Sequence, residues 1–212
     1  MENPVIIFGA KGLGRAALEI FESNDNVVYG FLDDDKALHN KEIDNIPILG
    51  STDDTEFLHL LGSECTAFIA ADDNAYKSKL VKLLTQEYKV MPVNAIHDHA
   101  LLSRSVELGH GNFVNSGSSI GSGAKVGNHC VLHSNSTVEH DVQLGNYVQI
   151  GAGATVSANV ELGSNVFVGS GVTIVPGIKV GKNARIGAGS VVVANVEDGK
   201  TVFGNPAKEV QH

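Results

Sequence analysis

The sequence predicts an α/β domain over residues 1–98 followed by an all-β domain over residues 99–212. Two patterns carry that division. The front alternates short apolar runs with helical stretches, the rhythm of a small parallel sheet. The back places an aliphatic residue at every sixth position from Leu102 to Val192, a period that neither a helix nor a single strand has. Charge separates the halves as well: residues 1–100 carry 8 Lys plus Arg against 17 Asp plus Glu, and the remainder holds 7 of each.

In the front domain Val5-Ile6-Ile7-Phe8 reads as the first strand, a Gly-rich turn follows, and Arg15 to Glu22 reads as the first helix. Val27 to Leu32 is the second strand, Ala67 to Ala70 another, residues 74–87 a helix, and Lys89-Val90-Met91 a last strand. At under 100 residues this is a Rossmann-like half domain, enough to hold a mononucleotide.

The turn Gly9-Ala10-Lys11-Gly12-Leu13-Gly14 stands where free N–H groups and the helix dipole can receive phosphate oxygens. Its spacing is G-x-x-G-x-G, not G-x-G-x-x-G. Asp33, Asp34 and Asp35 end the second strand, from which a carboxylate can reach a ribose or base. These residues alone also fit a tight strand-to-helix turn followed by a solvated acidic loop.

In the back domain the aliphatic series is Leu102, Leu108, Val114, Ile120, Val126, Leu132, Val138, Leu144, Ile150, Val156, Leu162, Val168, Ile174, Val180, Ile186 and Val192. Gly commonly follows it, and the fourth residue after it is small or aliphatic, as at Ala124, Cys130 and Val142. Such a chain runs straight, turns and repeats, with one large side chain per face pointing inward. Three faces make a coil of eighteen residues, and stacked coils build one continuous apolar column of about five coils.

The block resembles the hexapeptide repeat of left-handed parallel β-helix acyltransferases, whose aliphatic-Gly-x4 signature stands in Ile120-Gly-Ser-Gly-Ala-Lys125 and Ile186-Gly-Ala-Gly-Ser-Val191. The left hand is implied by this resemblance. Joined to the Gly-rich turn and acidic cluster, the repeats are similar to bacterial sugar acetyltransferases, which include UDP-4-amino-sugar N-acetyltransferases of the bacillosamine type and sialic acid O-acetyltransferase relatives. That resemblance spans nearly the whole chain. It implies that the acceptor nucleotide is held by Gly9, Lys11, Gly12, Leu13, Gly14, Asp33 and Asp34, with Asp73 and Asn74 from a later loop. Two departures from the family stand out: Lys11-Gly12-Leu13-Gly14 stands where Ser-Gly-His-Gly is common, and Asp72 where Gly is common.

Acetyl transfer from a thioester needs a base for the acceptor proton and a donor for the developing oxyanion. His39, His59 and His212 read as solvated side chains, and His97 and His99 as junction residues. In Val138-Glu139-His140-Asp141 an imidazole is flanked by carboxylates, which fits a solvated polar corner or a catalytic pair with Asp141 orienting the ring. The resemblance implies the second reading, because the family's catalytic His and the acid after it fall on His140 and Asp141. It also implies a backbone donor at Gly151-Ala152 and Gln149 near the coenzyme, while His133 is read as lining the acceptor pocket.

The tail Val202-Phe203-Gly204-Asn205-Pro206-Ala207-Lys208 resembles the Gly-x-Pro-Ala-Lys ending of CoA-using hexapeptide proteins. As structure alone it is a cap. As a coenzyme site, Gly169 and Ala188 offer a small-residue surface for the pantetheine arm, and Lys182, Arg185, Pro206 and Lys208 meet its far end. The expected partners are acetyl-CoA and a UDP-linked amino sugar. A homotrimer with sites between subunits is expected from the resemblance.

Other classes fit less well. Zinc hydration on a β-helix needs histidines five apart, whereas His129, His133 and His140 are separated by four and seven, so no metal is expected. The basic stripe of a nucleic-acid surface is missing. No apolar run approaches a membrane span, so a cytoplasmic protein is expected. Cys65 and Cys130 read as core residues. A sugar O-acetyltransferase, a non-catalytic nucleotide-binding trimer and a nicotinamide oxidoreductase remain as alternatives, the last lacking any separate hydride-transfer site.

Overall fold

The computed structural model describes residues 3–210, so His212 lies outside the described residues. The chain divides into two compact units, one ending at Asp98 and one beginning at His99. No helix among the described residues is long and apolar enough to cross a membrane. Cys65 and Cys130 are both buried.

The front unit begins with β1 (Val5–Phe8), buried throughout, which is why it reads as an unbroken apolar run. Helix α1 (Leu13–Ser23) presents Leu13, Ala17, Leu18, Ile20 and Phe21 to the core at helical spacing. Then come β2 (Val28–Leu32), β3 (Glu42–Ile43), β4 (Ile46–Gly50), the short α2 (Thr55–Leu58), β5 (Thr66–Ile69) and α3 (Asn74–Lys82). The sheet order is β3-β4-β2-β1-β5, with β1 parallel to both β2 and β5.

Three sequence expectations change here. The elements β3, β4 and α2 are additions, short segments with too little periodicity to announce themselves. The helix expected over residues 74–87 is α-helical only to Lys82 and continues as a π-turn over Leu83–Glu87. Lys89-Val90-Met91 is not a strand: Lys89 sits at φ 58 and the Val90 N–H bonds back to Leu84 O at 2.9 Å, so the segment closes the helix end. Val90, at 8% exposure, packs into the core as an apolar plug.

The back unit is a parallel β-helix. Its first face stacks Leu101–Leu102, Ser119–Ile120, Thr137–Val138, Thr155–Val156, Thr173–Ile174 and Val191–Val192. Its second stacks Glu107–Leu108, Lys125–Val126, Gln143–Leu144, Glu161–Leu162 and Lys179–Val180, and its third runs from Phe113–Val114 through Val131–Leu132, Gln149–Ile150 and Phe167–Val168 to Arg185–Ile186. Partners such as Ile120 and Val138 are eighteen residues apart, and the register holds from Leu101 to Val192. Every aliphatic residue of the series from Val114 onward is buried, while Leu102 and Leu108 in the first coil are half-buried.

From Gly111 to Gly189 each corner turns by one left-handed residue, three positions after the aliphatic one. His129, Asn135, Asp141, Tyr147, Asn159, Asn165 and Asn183 take this place with φ between 57 and 62, and Gly takes it elsewhere. The next residue then points inward: Ala124, Cys130, Val142, Val148 and Ala154 are each 0% exposed. The small or aliphatic residue in the repeat is therefore a second core position. The stack ends with Thr201–Phe203, which pairs in parallel with Arg185–Ile186 and antiparallel with Lys208–Glu209.

Candidate active site

The Gly-rich turn opens a crevice at the carboxyl ends of the front strands, where β1 is flanked by β2 on one side and β5 on the other. A ligand crevice is expected at such a switch point. Gly9 has φ 110, and a Cβ there would lie 2.5 Å from the Ala70 carbonyl oxygen, so only glycine lets β1 and β5 approach. The crevice, about 520 Å³, is lined by Gly9, Lys11, Gly12, Asp33, Asp34, Ala70, Ala71, Asp72, Asp73 and Tyr76. Leu13 and Gly14 are buried in the first turn of α1 and do not line it. Asn74 opens α3, whose N-cap Asp73 accepts from the Tyr76 N–H at 2.6 Å.

The acidic residues divide their work. Asp33 accepts the Ala10 N–H at 2.8 Å with one oxygen and the Asp35 N–H at 2.8 Å with the other, tying the turn to the end of β2. Among the described residues, the N–H groups of Lys11, Gly12 and Leu13 meet no acceptor, and these remain for an anion. Asp34 accepts from Thr52 N at 2.9 Å, Thr52 Oγ1 at 2.7 Å and Tyr76 Oη at 2.7 Å. Burial works against the charged form of Asp34, but these donors outweigh it and hold the carboxyl below its ordinary value. Burial and Asp34 together push the Tyr76 hydroxyl up to about 12, so it stays a donor. Lys11 Nζ lies 2.6 Å from Asp35 Oδ2 on the exposed rim.

In the β-helix, His140 and Asp141 stand at the corner between the first and second faces, both exposed, with His140 Nδ1 3.1 Å from Asp141 Oδ2. Asp141 is the left-handed corner residue, φ 57, which is why adjacent residues can pair their side chains. The coil before makes room. A Cβ on Gly121 would meet the His140 nitrogen at 2.6 Å, and one on Gly123 would meet Asp141 Oδ1 at 2.5 Å. With Nδ1–H donated to Asp141, the His140 Nε2 lone pair is left to accept a proton.

His133, Gly151, Ala152, Gly169 and Ala188 occupy the corner between the third and first faces, with Gln149 beside it on the third face. The Gly151 N–H is spent on Val168 O at 2.8 Å and the Gly169 N–H on Ile186 O at 2.8 Å. The Ala152 N–H meets no acceptor among the described residues, so Ala152 is the available donor of the pair. Arg185 lies on the third face with its guanidinium 4.6 Å over the Phe167 ring. Lys182 is at the far edge of that face, its N–H bonded to Asp198 Oδ1 at 2.8 Å. Pro206 and Lys208 belong to the terminal hairpin, where Lys208 pairs with Phe203.

Within one chain, then, Gly9, Lys11, Gly12, Asp33, Asp34 and Asp73 share a crevice that Leu13, Gly14 and Asn74 do not line, and His140 pairs with Asp141, but the His140 corner and the small-residue corner bound opposite edges of the first face. Sequence reasoning missed Thr52 and Tyr76. Neither had a signal, because both reach Asp34 only through the β4–α2 connection and α3.

Both parts of the fold have counterparts among known proteins. Residues 4–84 match the PglD N-terminal domain, and residues 123–158 and 159–194 match the bacterial transferase hexapeptide (six repeats). No curated protein sequence matches. Among solved structures, a mutant of perosamine N-acetyltransferase from Caulobacter crescentus, in complex with CoA and GDP-perosamine, is 27% identical with a TM-score of 0.91, over 99% of this chain and 98% of that one. The acetyltransferase domain of PglB from Neisseria gonorrhoeae, in complex with acetyl coenzyme A, is 26% identical with a TM-score of 0.91, over 99% and 100%. WeeI from Acinetobacter baumannii is 25% identical with a TM-score of 0.88, over 99% and 100%. The chain is an acetyltransferase that joins a PglD N-terminal domain to bacterial transferase hexapeptide repeats, and it is similar over nearly its whole length to bacterial sugar acetyltransferases.

Proposed function

We propose that the protein transfers the acetyl group of acetyl-CoA to the amine of a UDP-linked 4-amino-6-deoxy sugar, by direct attack and without an acyl-enzyme. The observation that carries this reading is the His140–Asp141 pair, 3.1 Å apart on an exposed corner. The amine nitrogen attacks the thioester carbon, His140 Nε2 takes the amine proton, and the proton passes to the departing CoA sulfur. Asp141 steadies the imidazolium between these steps. The Ala152 N–H suits the developing oxyanion. Gly169 and Ala188 leave a low edge for a pantetheine arm, with Arg185 and Lys208 the nearer cations for its phosphates and Gln149 a neutral donor beside it.

The same geometry supports a homotrimer. The outward residues of the first face, Leu101, Ser119, Thr137, Thr155, Thr173 and Val191, carry no charge, and Leu101 is 72% exposed. The second face carries the pairs Glu107–Lys125 and Glu161–Lys179 at 3.0 and 2.9 Å, which suit solvent. Turning the first face of three copies toward a threefold axis brings the His140 corner of one copy against the Ala152 corner of the next. The site is then complete only between subunits. Both substrates are cytoplasmic metabolites, and we assign the enzyme to the cytoplasm.

A second reading concerns the nucleotide alone. The perosamine enzyme complexes contain a GDP-linked sugar, which favours guanine over uracil. Thiol release from acetyl-CoA, measured with UDP-4-amino-6-deoxy sugars, GDP-perosamine and free sialic acid, separates the cases. Turnover on UDP sugars supports the first reading and on GDP-perosamine the second. Turnover on sialic acid alone overturns N-acetylation.

A further inference from the structure

Phe203 is 58% exposed, yet its ring is held in one place. Thr201 and Val202 pair with Arg185 and Ile186, so Phe203 follows Val202 as Gly187 follows Ile186. It therefore takes, one coil higher, the corner position of Gly151, Gly169 and Gly187. A Cβ on Gly187 would collide with the Phe203 ring, so the ring lies down on the glycine and turns its other side to solvent. Ser190 fixes the turn behind it: its Oγ donates to the Gly187 carbonyl at 2.7 Å and accepts the Gly204 N–H at 3.0 Å. The Gly204 carbonyl accepts in turn from the Val191 N–H at 2.9 Å. An aromatic ring fixed in this way loses little freedom when an apolar group lands on it.

Below the ring, the same corner carries one donor per coil. The N–H groups of Ala152, Ser170 and Ala188 meet no acceptor among the described residues, and all three residues are exposed. Successive coils are about 4.8 Å apart, the spacing of paired strands. The thioester, β-alanyl and pantoyl carbonyls of acetyl-pantetheine are separated by five and then four bonds, about 6 and 5 Å when extended. The arm thus matches the coils in register, with its thioester oxygen at Ala152 and its two amide oxygens at Ser170 and Ala188. The carbon that bears two methyl groups lies two bonds beyond the pantoyl carbonyl. That places it between the Ala188 coil and the next, where the Phe203 ring lies on Gly187. Resting on the coenzyme corner assigned above, we propose that Phe203 is a coenzyme-binding residue: its ring packs against the geminal methyl groups of the pantoyl unit and sets the arm in register with the coils.

Two binding measurements test the contact: calorimetric titration with acetyl-CoA, and displacement of CoA by 4′-phosphopantetheine, which has the pantoyl unit but no adenosine. Phe203→Ala should weaken both ligands by the same factor, about tenfold, through lost burial of two methyl groups. Phe203→Leu, which keeps an apolar surface, should bring each back to within about threefold of the unaltered protein. Ser170→Pro removes one N–H donor, and Pro176 already stands at the same step of its own corner, two residues after Ile174 as Ser170 is after Val168. This variant should weaken both ligands by about fivefold. An unchanged thermal unfolding midpoint and sedimentation coefficient verify fold and assembly. If Phe203→Ala weakens acetyl-CoA but not phosphopantetheine, the ring lies against the adenine and the proposal is overturned. If only Ser170→Pro has an effect, the coenzyme uses the corner without Phe203, and the proposal fails alone. If neither variant alters either affinity, the coenzyme corner itself is overturned.

Discussion

Gly123 provides the space that the Asp141 carboxylate fills: a Cβ on Gly123 would sit 2.5 Å from Asp141 Oδ1, one coil below. The carboxylate that holds His140 is thus itself held by the absence of a side chain eighteen residues earlier in the stack. Gly177 stands at the same corner of a later coil with nearly the same backbone, φ 76 against 72, and nothing within 4 Å of its Cβ position.

That pair of glycines makes a controlled experiment. Gly123→Ala and Gly177→Ala should each cost on the order of 1 kcal/mol of stability for the left-handed corner. Only Gly123→Ala should also lower kcat, by about tenfold or more, because only there must the Asp141 carboxylate move. Steady-state kinetics beside urea unfolding reads both effects. Equal kcat values for the two variants would detach Asp141 from the reaction.

Asp141→Asn removes the charge and retains a side chain of the same shape. We expect kcat to fall by about 10- to 1,000-fold, with the acetyl-CoA affinity unchanged, since the imidazolium loses its counter-charge but the coenzyme edge is untouched. Rapid-mixing kinetics with equilibrium coenzyme binding checks it.

The Asp34 carboxyl is held below its ordinary value of 3.8, burial being outweighed by the Thr52 and Tyr76 donors. A lowered folded value means that its contribution is fully present above the ordinary carboxylate range and is lost as pH falls through the folded value. The stability gap between the unaltered protein and Asp34→Asn should therefore be widest near about pH 7 and narrow toward about pH 3. Urea unfolding at several pH values measures it, and a gap that widens on acidification would refute the assignment. In the alkaline range, ultraviolet titration of Tyr76→Phe should lack a phenol that ionises at about 12.

The uncharged first face predicts a linked loss of assembly and activity. Thr155→Lys should break the proposed trimer and reduce turnover together, whereas Gln143→Lys, on the charged second face, should leave both intact. Sedimentation velocity with parallel assays decides between the faces.

The β-helix was legible from the sequence because one local rule, aliphatic then turn then inward residue, repeats in identical register, so even Asp141 could be placed at a corner next to His140. The corner chemistry was less legible. That the Gly151 N–H is spent on Val168, leaving Ala152 as donor, is a property of the coil below and has no mark at residue 151. In the front unit the apolar runs of β1 and β5 and the Gly9 turn stood out, but β3 and β4 are held by pairing with each other and with β2 and show no pattern of their own. Lys89-Val90-Met91 misled because a plug sealing a helix end and a strand both read as apolar.

The central claim is that His140 is the base. The measurement that tests it most directly is single-turnover acetyl transfer to the preferred sugar nucleotide by the unaltered protein and His140→Ala, at matched acetyl-CoA saturation and with the trimer verified. A fall of about 100-fold or more, with coenzyme and nucleotide affinities unchanged, is the predicted result. A rate within about threefold of the unaltered protein would contradict it and move the proton transfer to another group.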